Sequence, residues 1–529
     1  MTTFFTCFRL SLEVFSEAVS VRLGYAAFST PRLHVLPGWE ILTRSPSRDM
    51  SDPFTPLPQA KSACGTLAHS GPPKRSATQR VADFLEIYGL YDEVAAQEQA
   101  SRCVHCSKPM CVAGCPLEAH IPEWLSLTAE GHFGEAADLL QSTGSLPEIC
   151  ARICPSDHLC EGMCVVNGRT EPVSVRAVEQ FLSEYAFSHG TVSTSVAPPN
   201  GWRVAIVGAG PGGLVCASEL VKQGYAVTVF DSRPTPGGLL VYGTPAFKLE
   251  RSIVRRRIEI LKKQGVVFRL GIKVGKDVDL TELQSEFDCI YLSFGGKKAR
   301  TLDVPGEGLN GVFQALPYIM QKNSDMPLDP HAIDVTGKRV VVLGGGDTAV
   351  DCVRTALRCG AREAFGIYRR DLASMPCSHS DYDNAIEEGV RYVFQALPLA
   401  ILGNAKGDVT GLRLVRTALG KPDTTGRRPF SVQLGTEFEM ETDCIFLALG
   451  FVPAPLPPSS PFHVLAPNEW GGVKVDAQLM TSCPGIFAGG DLVRGPGTAL
   501  DSVRDARRAV IGIHSYLRDR KASGTASPA

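Results

Sequence analysis

The sequence predicts an α/β protein: a helical, cysteine-rich N-terminal domain followed by two Rossmann-like βαβ units with parallel sheets. Three observations predict it. Eight cysteines crowd between Cys103 and Cys164. Two strand–glycine loop–helix–strand patterns begin near Trp202 and Arg339. The linker GTVSTSVAPPNG, rich in Gly, Ser, Thr and Pro, separates the cysteines from the first of them.

At 529 residues the chain has length for roughly three domains. Its formal net charge is -2 and no long basic run tracks a phosphate backbone, so nucleic acid is excluded as the expected partner. No stretch of about 18 apolar residues predicts a membrane span. The 17 cysteines are clustered or scattered in a long chain, which reads as a reducing, cytoplasmic setting and not as a disulfide framework. Residues 1–49 read as a leader or an upstream misread start without stable structure, and Met50 opens a Pro-rich, extended stretch. A helical pattern is expected from Arg80 through Val81, Phe84, Leu85 and Leu90, and again over Glu93 to Ala100.

The cysteines run Cys103-x2-Cys106-x4-Cys111-x3-Cys115-Pro116, then Cys150, Cys154, Cys160 and Cys164. Two zinc ions could use eight thiols. The x4 and x3 spacings around Cys-Pro instead match ferredoxin-like runs that hold iron–sulfur clusters.

Trp202–Val207 reads as a strand that enters Gly208-Ala209-Gly210-Pro211-Gly212-Gly213. The helix and strand that follow end at Asp231. In this G-x-G-x-x-G loop the glycines serve a tight turn, close approach to a pyrophosphate, and helix–strand packing. The pyrophosphate sits on the helix N-terminus, and Asp231 would accept hydrogen bonds from a ribose diol. The second loop is Gly344-Gly345-Gly346-Asp347-Thr348-Ala349. Its second strand ends in Arg369 and Arg370 where a ribose-binding acid would stand, and a guanidinium suits a 2′-phosphate. Without that placement the two arginines would be a solvated strand end. The first loop therefore predicts FAD or NAD and the second NADPH. Further on, Gly490-Asp491 ends an apolar strand, and Thr498 and Ala499 open a helix. That pattern suits a flavin, although alone it would pass as an ordinary strand-to-loop aspartate.

The order of these three elements resembles flavin reductases in which the nicotinamide domain is inserted into the flavin domain. Four segments make the resemblance specific: RVADFLEIYGLYDEVAAQEQASRCVHC, PEICARICPSDHLCEGMC, GGLLVYGTPAFKLE and YRRDLASMPCSHSDYDNAIEEGV. They resemble the small (beta) subunit family of NADPH-dependent glutamate synthase, from about Arg80 to Leu517. The same module is similar to the N-terminal part of dihydropyrimidine dehydrogenase.

The resemblance implies two [4Fe-4S] clusters, FAD and NADPH, with Gly238 in the flavin site. It implies one cluster on Cys103, Cys106, Cys111 and Cys164, and the other on Cys115, Cys154, Cys160 and Glu179, with Gln180 adjacent. Without the resemblance Glu179 would read as an exposed helical acid. Cys150 is left as a spare, structural thiol. No catalytic side chain is expected, since hydride passes between cofactors.

The implied function is electron input. NADPH is oxidised through FAD, and the clusters deliver electrons to a large (alpha) glutamate synthase subunit in a hetero-oligomer. A reductase serving another acceptor, or a non-catalytic docking adaptor, would carry the same motifs. The expected domains are 50–195 for the clusters, 196–325 and 446–529 for FAD, and 326–445 for NADPH.

Overall fold

The computed structural model describes residues 67–143, 146–324, 332–424, 428–454, 456 and 460–524. The expectations for residues 1–49 and for the Pro-rich stretch up to residue 66 lie outside the described residues.

Two five-stranded parallel sheets organise the chain. The first runs in the order Ile486–Ala488, Cys289–Leu292, Arg203–Val207, Ala226–Asp231, Val267–Leu270. The second runs Val312–Gln314, Cys444–Leu447, Arg339–Leu343, Glu363–Tyr368, Arg391–Phe394. The central strands are near-continuous apolar runs, such as RVVVL and CIYL, as expected for sheets covered on both faces. The chain leaves the first sheet after Leu292 and returns to it at Ile486, so the second sheet is inserted in the first. A two-stranded antiparallel ribbon, Lys297–Ala299 with Phe451–Pro453, carries the outward and returning chain.

Two expectations change here. The second sheet takes in Val312–Gln314 and ends at Leu447, so it extends beyond 326–445 at both ends. Cys444–Leu447 pairs with Arg339–Leu343, so the boundary expected between 445 and 446 moves past Leu447. The first αβ helix is Pro211–Lys222, with Pro at N1, where its missing N–H leaves no helix bond unmade. An antiparallel layer, Ala396–Gly403, Val409–Leu419, Phe430–Val432 and Phe438–Glu441, covers the second sheet through Ile401, Leu412 and Leu414.

The N-terminal domain is helical, with its own core of Trp124, Leu125, Leu140, Val178 and Leu182. Cys103 lies in that core, and Cys111, Cys115, Cys160 and Cys164 pack against it. The helix expected through Leu90 stops at Ala82. Beyond it, residues 83–90 run in irregular backbone. Ile87 is buried there, its N–H bonding Phe247 O at 3.3 Å, while Leu85 is left exposed. Tertiary contact outweighs the local pattern.

The helix His379–Glu387 is where the parts meet. Asp157, from the cysteine-rich domain, accepts at its N-terminus from His379 N (2.6 Å) and Ser378 Oγ (3.2 Å). Lys248, from the domain of the first sheet, bonds Asp381 on its flank (2.8 Å). Arg80 reaches Asn384 (2.8 Å) and Glu387 (2.5 Å) near its end. Just behind it, buried Glu388 receives bidentate bonds from Arg354 (both 2.9 Å) and from Arg358 (2.7 and 3.0 Å).

Candidate active site

One cavity of about 1310 Å³ joins the first glycine loop, the start of the second loop's helix, and the cysteine-rich domain. Gly208, Gly210, Pro211, Gly212, Asp231 and Gly238 line it, as do Gly490, Asp491, Thr498 and Ala499. From the second loop it takes Asp347 and Thr348, and from the cysteines Cys154. The structure thus gathers most of the residues expected at the flavin.

The first loop is built for close approach. A Cβ on Gly213 would lie 1.9 Å from Gly208 O, so only glycine lets the helix sit against the turn. Gly208 itself has φ +107°, in the left-handed region. Gly210, at the N-cap, meets nothing within 4 Å, leaving room for a phosphate at the free N–H groups. Gly213→Ala should therefore yield protein with little bound FAD, which absorbance of the purified variant at the flavin bands would measure.

Asp231 accepts from Ala209 N (2.7 Å) and Arg233 N (2.8 Å), one bond to each carboxylate oxygen. Each oxygen keeps a further acceptor position, so the carboxylate is held rigid while still able to bind a diol. Across the cavity, Thr498 caps the 24-residue helix Ala499–Ala522, with its side chain and that of Asp501 forming a capping box. Asp491 accepts from Gly497 N at 3.1 Å, which folds that loop over the helix start.

The second loop has the same construction. Gly346 is the N-cap of Asp347–Arg358 and has open space around it. A Cβ on Gly344 would lie 2.3 Å from Ala448 O, and one on Gly345 would strike the Tyr368 ring at 2.6 Å. Ala349 is buried beneath the loop. Asp347 also accepts from Ser378 N (3.2 Å), tying the loop to the 379–387 helix.

Arg369 and Arg370 part company. Arg369 is exposed, whereas Arg370 is buried, its Nε donating to Arg428 O at 3.0 Å. Both lie by the Phe430 ring. Arg369→Ala should weaken NADPH binding about tenfold or more and NADH binding little, taking the ~1.5–3 kcal/mol of a bond to a charged group. Arg370→Ala should act mainly on stability. KM for the two nucleotides, with a melting curve, checks both.

The thiols sort into two sets. Cys103 is pushed up to about 12 by burial, with Cys111, Cys106 and Cys164 adding to it. Burial likewise pushes Cys111 up to about 11, helped by Cys164 and Cys106. In the second set burial raises Cys160, with Glu161, Glu179 and Cys115 contributing. A hydrogen bond to Cys150, which favours the protonated Cys154 thiol, leads the causes that raise Cys154, followed by burial, Cys150's charge, Glu179 and Cys160. Burial raises Cys115, with Glu179 and Cys150 beside it. Glu179 bears electrostatically on all three of these thiols. Burial, then Glu161 and Glu148, pushes its carboxyl up to about 8. Gln180 lines the flavin cavity.

Among the described residues, no three His, Cys, Asp or Glu side chains are grouped closely enough for a single metal ion. Two sets of thiols, with Cys103, Cys111, Cys115, Cys154, Cys160 and Glu179 disfavoured as anions, do suit a larger centre that supplies positive charge and takes up thiolates. Cys150, set aside as a spare thiol, is buried against Cys154 one helical turn away.

The family model "dihydropyrimidine dehydrogenase domain II, 4Fe-4S cluster" matches residues 80–191, and "pyridine nucleotide-disulphide oxidoreductase" matches 202–506. Fold and site define an NADPH-dependent flavin and iron–sulfur oxidoreductase. The glutamate synthase [NADPH] small chain of Azospirillum brasilense is 42% identical over 456 residues, 84% of this chain and 94% of that one. That of Escherichia coli K12 is 40% identical over 465 residues, 85% and 98% of the two chains. The chain belongs to the NADPH glutamate synthase small-chain family. It is also 40% identical to the putative oxidoreductase AegA of Escherichia coli K12, over 85% of this chain and 70% of AegA. Mycobacterium tuberculosis FprA in complex with NADPH shares the fold, with TM-score 0.52 at 20% identity, over 63% of this chain and 87% of FprA. No helix among the described residues is long and apolar enough to cross a membrane.

Proposed function

We propose that the chain is the electron-input subunit of a glutamate synthase, handing electrons from NADPH to a large subunit that forms glutamate from glutamine and 2-oxoglutarate. The observation that carries it is the continuous cavity from the first glycine loop to Cys154, with Asp347 and Thr348 entering from the nicotinamide side. Gly208, Gly210, Gly213, Asp231, Gly490 and Thr498 hold FAD. Gly344, Gly346 and Arg369 hold NADPH. Cys103, Cys106, Cys111 and Cys164 hold one [4Fe-4S] cluster, and Cys115, Cys154, Cys160 and Glu179 the other. When bound, the flavin supplies hydride acceptance and the clusters supply single-electron conduction.

No side chain has to move a proton for hydride transfer; the protein's part is alignment. Lys248 fixes the nicotinamide domain against the flavin domain through Asp351 (3.2 Å) and Asp381 (2.8 Å). Thr498 and the helix behind it close the flavin end of the cavity.

The purified chain should contain FAD and iron and reduce ferricyanide with NADPH, yet form no glutamate. Added large subunit should restore glutamate formation from glutamine and 2-oxoglutarate. Dye reduction with no productive pairing would leave the oxidoreductase intact and reject the glutamate synthase role. The 40% identity to AegA favours, as second reading, electron supply to a different acceptor.

A further inference from the structure

Arg176 is a half-buried cation on the cavity wall that the hydride-transfer site does not use. It is the second residue of the helix Val175–Ser188, and its backbone N–H donates to Glu161 Oε1 at 2.9 Å. Its guanidinium lies over the Tyr88 ring, 5.7 Å from the centroid, and lines the cavity that Cys154 and Gln180 also line. Among the described residues it forms no side-chain ion pair.

The acidic groups facing it come from three elements: Glu161 and Cys154 on the cysteine loop, Asp381 on the 379–387 helix, and Tyr88 on the 83–90 segment. Glu161 is itself fixed, its Oε2 accepting from Ser156 Oγ at 2.6 Å, one residue beyond Cys160. Two carboxylates, Glu161 and Glu179, thus bear on the second thiol set, with Arg176 opposing them.

Partly withdrawing a charge from water without a close ion-pair partner has a cost. Arginine keeps its charge in such a place, because it does not shed its proton in proteins. A fixed positive charge beside a redox centre in a low-dielectric interior favours the state with the extra electron.

We propose that Arg176 is an electrostatic tuning residue of the cluster held by Cys115, Cys154, Cys160 and Glu179. It raises that cluster's reduction potential, offsets Glu161 and Glu179, and makes this cluster, next to the flavin cavity, able to accept an electron that originates in NADPH. The inference rests on the ligand assignment above.

The test is a potentiometric titration followed by electron paramagnetic resonance, on the full chain with its flavin and iron measured first. Arg176→Met should retain FAD and iron and shift one of the two cluster signals to more negative potential, the other moving less. Arg176→Lys should restore most of the shift. Glu161→Gln should move the same signal in the positive direction, and it decides the matter if Arg176→Met fails to assemble. Unmoved potentials in an iron-replete Arg176→Met, or in Glu161→Gln when the first variant does not assemble, would overturn the tuning role and leave the ligand assignment standing. A wild-type protein with only one cluster signal would overturn the assignment and the inference with it.

Discussion

Replacing Glu388 with Gln is expected to lower the stability of the chain by about 3–5 kcal/mol, the range for removing one partner of a buried ion pair. Glu388 is fully buried, between Arg354, which is also fully buried, and Arg358. Removing its charge leaves Arg358 without its carboxylate and Arg354 with Asp381 alone, at 3.0 Å. The denaturation midpoint in urea at pH 7 measures the loss; a midpoint within about 0.5 kcal/mol of wild type, the range of ordinary surface changes, would show that the arginines find other partners.

The same residue sets an acid limit. Against the cost of burial, the bonds from Arg354 and Arg358 hold Glu388 down to about 2, from an ordinary value of 4.5. A depressed folded value means that the unfolded chain takes the proton first. The stabilisation is therefore complete above 4.5 and is lost as pH falls from there towards 2, amounting to about 3 kcal/mol by linkage. Asp351 works the other way: burial raises it, with Lys248 opposing, so it gains stability as pH falls towards the ordinary carboxylate range. Glu388 shares the acid limb below pH 4 with Asp381 and Glu184, which are also held down, so the limb should shrink in Glu388→Gln.

Cys106→Ser and Cys160→Ser should each remove about four iron atoms per chain, and the double variant about eight, if the two thiols serve different [4Fe-4S] clusters. Loss of only four irons in the double variant would place both on one cluster. FAD and NADPH-driven ferricyanide reduction should persist in each single variant, because neither residue lies in the flavin cavity. Electron delivery to the large subunit should fall steeply. Colorimetric iron, flavin absorbance and the two activities measure these outcomes on the same preparations.

Much of the site was legible because glycine loops leave few alternatives: the steric demands at Gly208, Gly213 and Gly344 are written in residue type. Arg369 and Arg370 were legible only as a pair. Both lie just past the end of the strand Glu363–Tyr368, so strand alternation did not say which would turn inward. The packing of Cys150 against Cys154 follows from their i,i+4 relation, which was in the sequence. The limits of the second sheet were not legible, since Val312–Gln314 is a three-residue, half-buried edge strand with no usable alternation. The buried charges were missed for another reason. Asp351, Arg354 and Arg358 mark one face of a helix, which by pattern reads as solvated. Residues far away in the chain cover it: Phe247 lies 4.5 and 4.0 Å from the two guanidinium groups, and Asp83 O accepts from Arg358 at 3.1 Å.

The meeting of three domains on the helix His379–Glu387 has a consequence for modularity. Nicotinamide domains look exchangeable, since each hangs on a short ribbon such as Lys297–Ala299 with Phe451–Pro453. Here a graft cut at that ribbon would sever only the covalent joint. The transplanted domain would still expose Asp351, Asp381, Glu387 and Glu388 to a host lacking Lys248, Arg80 and Asp157. A working chimera has to carry those three distant residues with it, so the unit of exchange in this chain is a set of charges and not a segment.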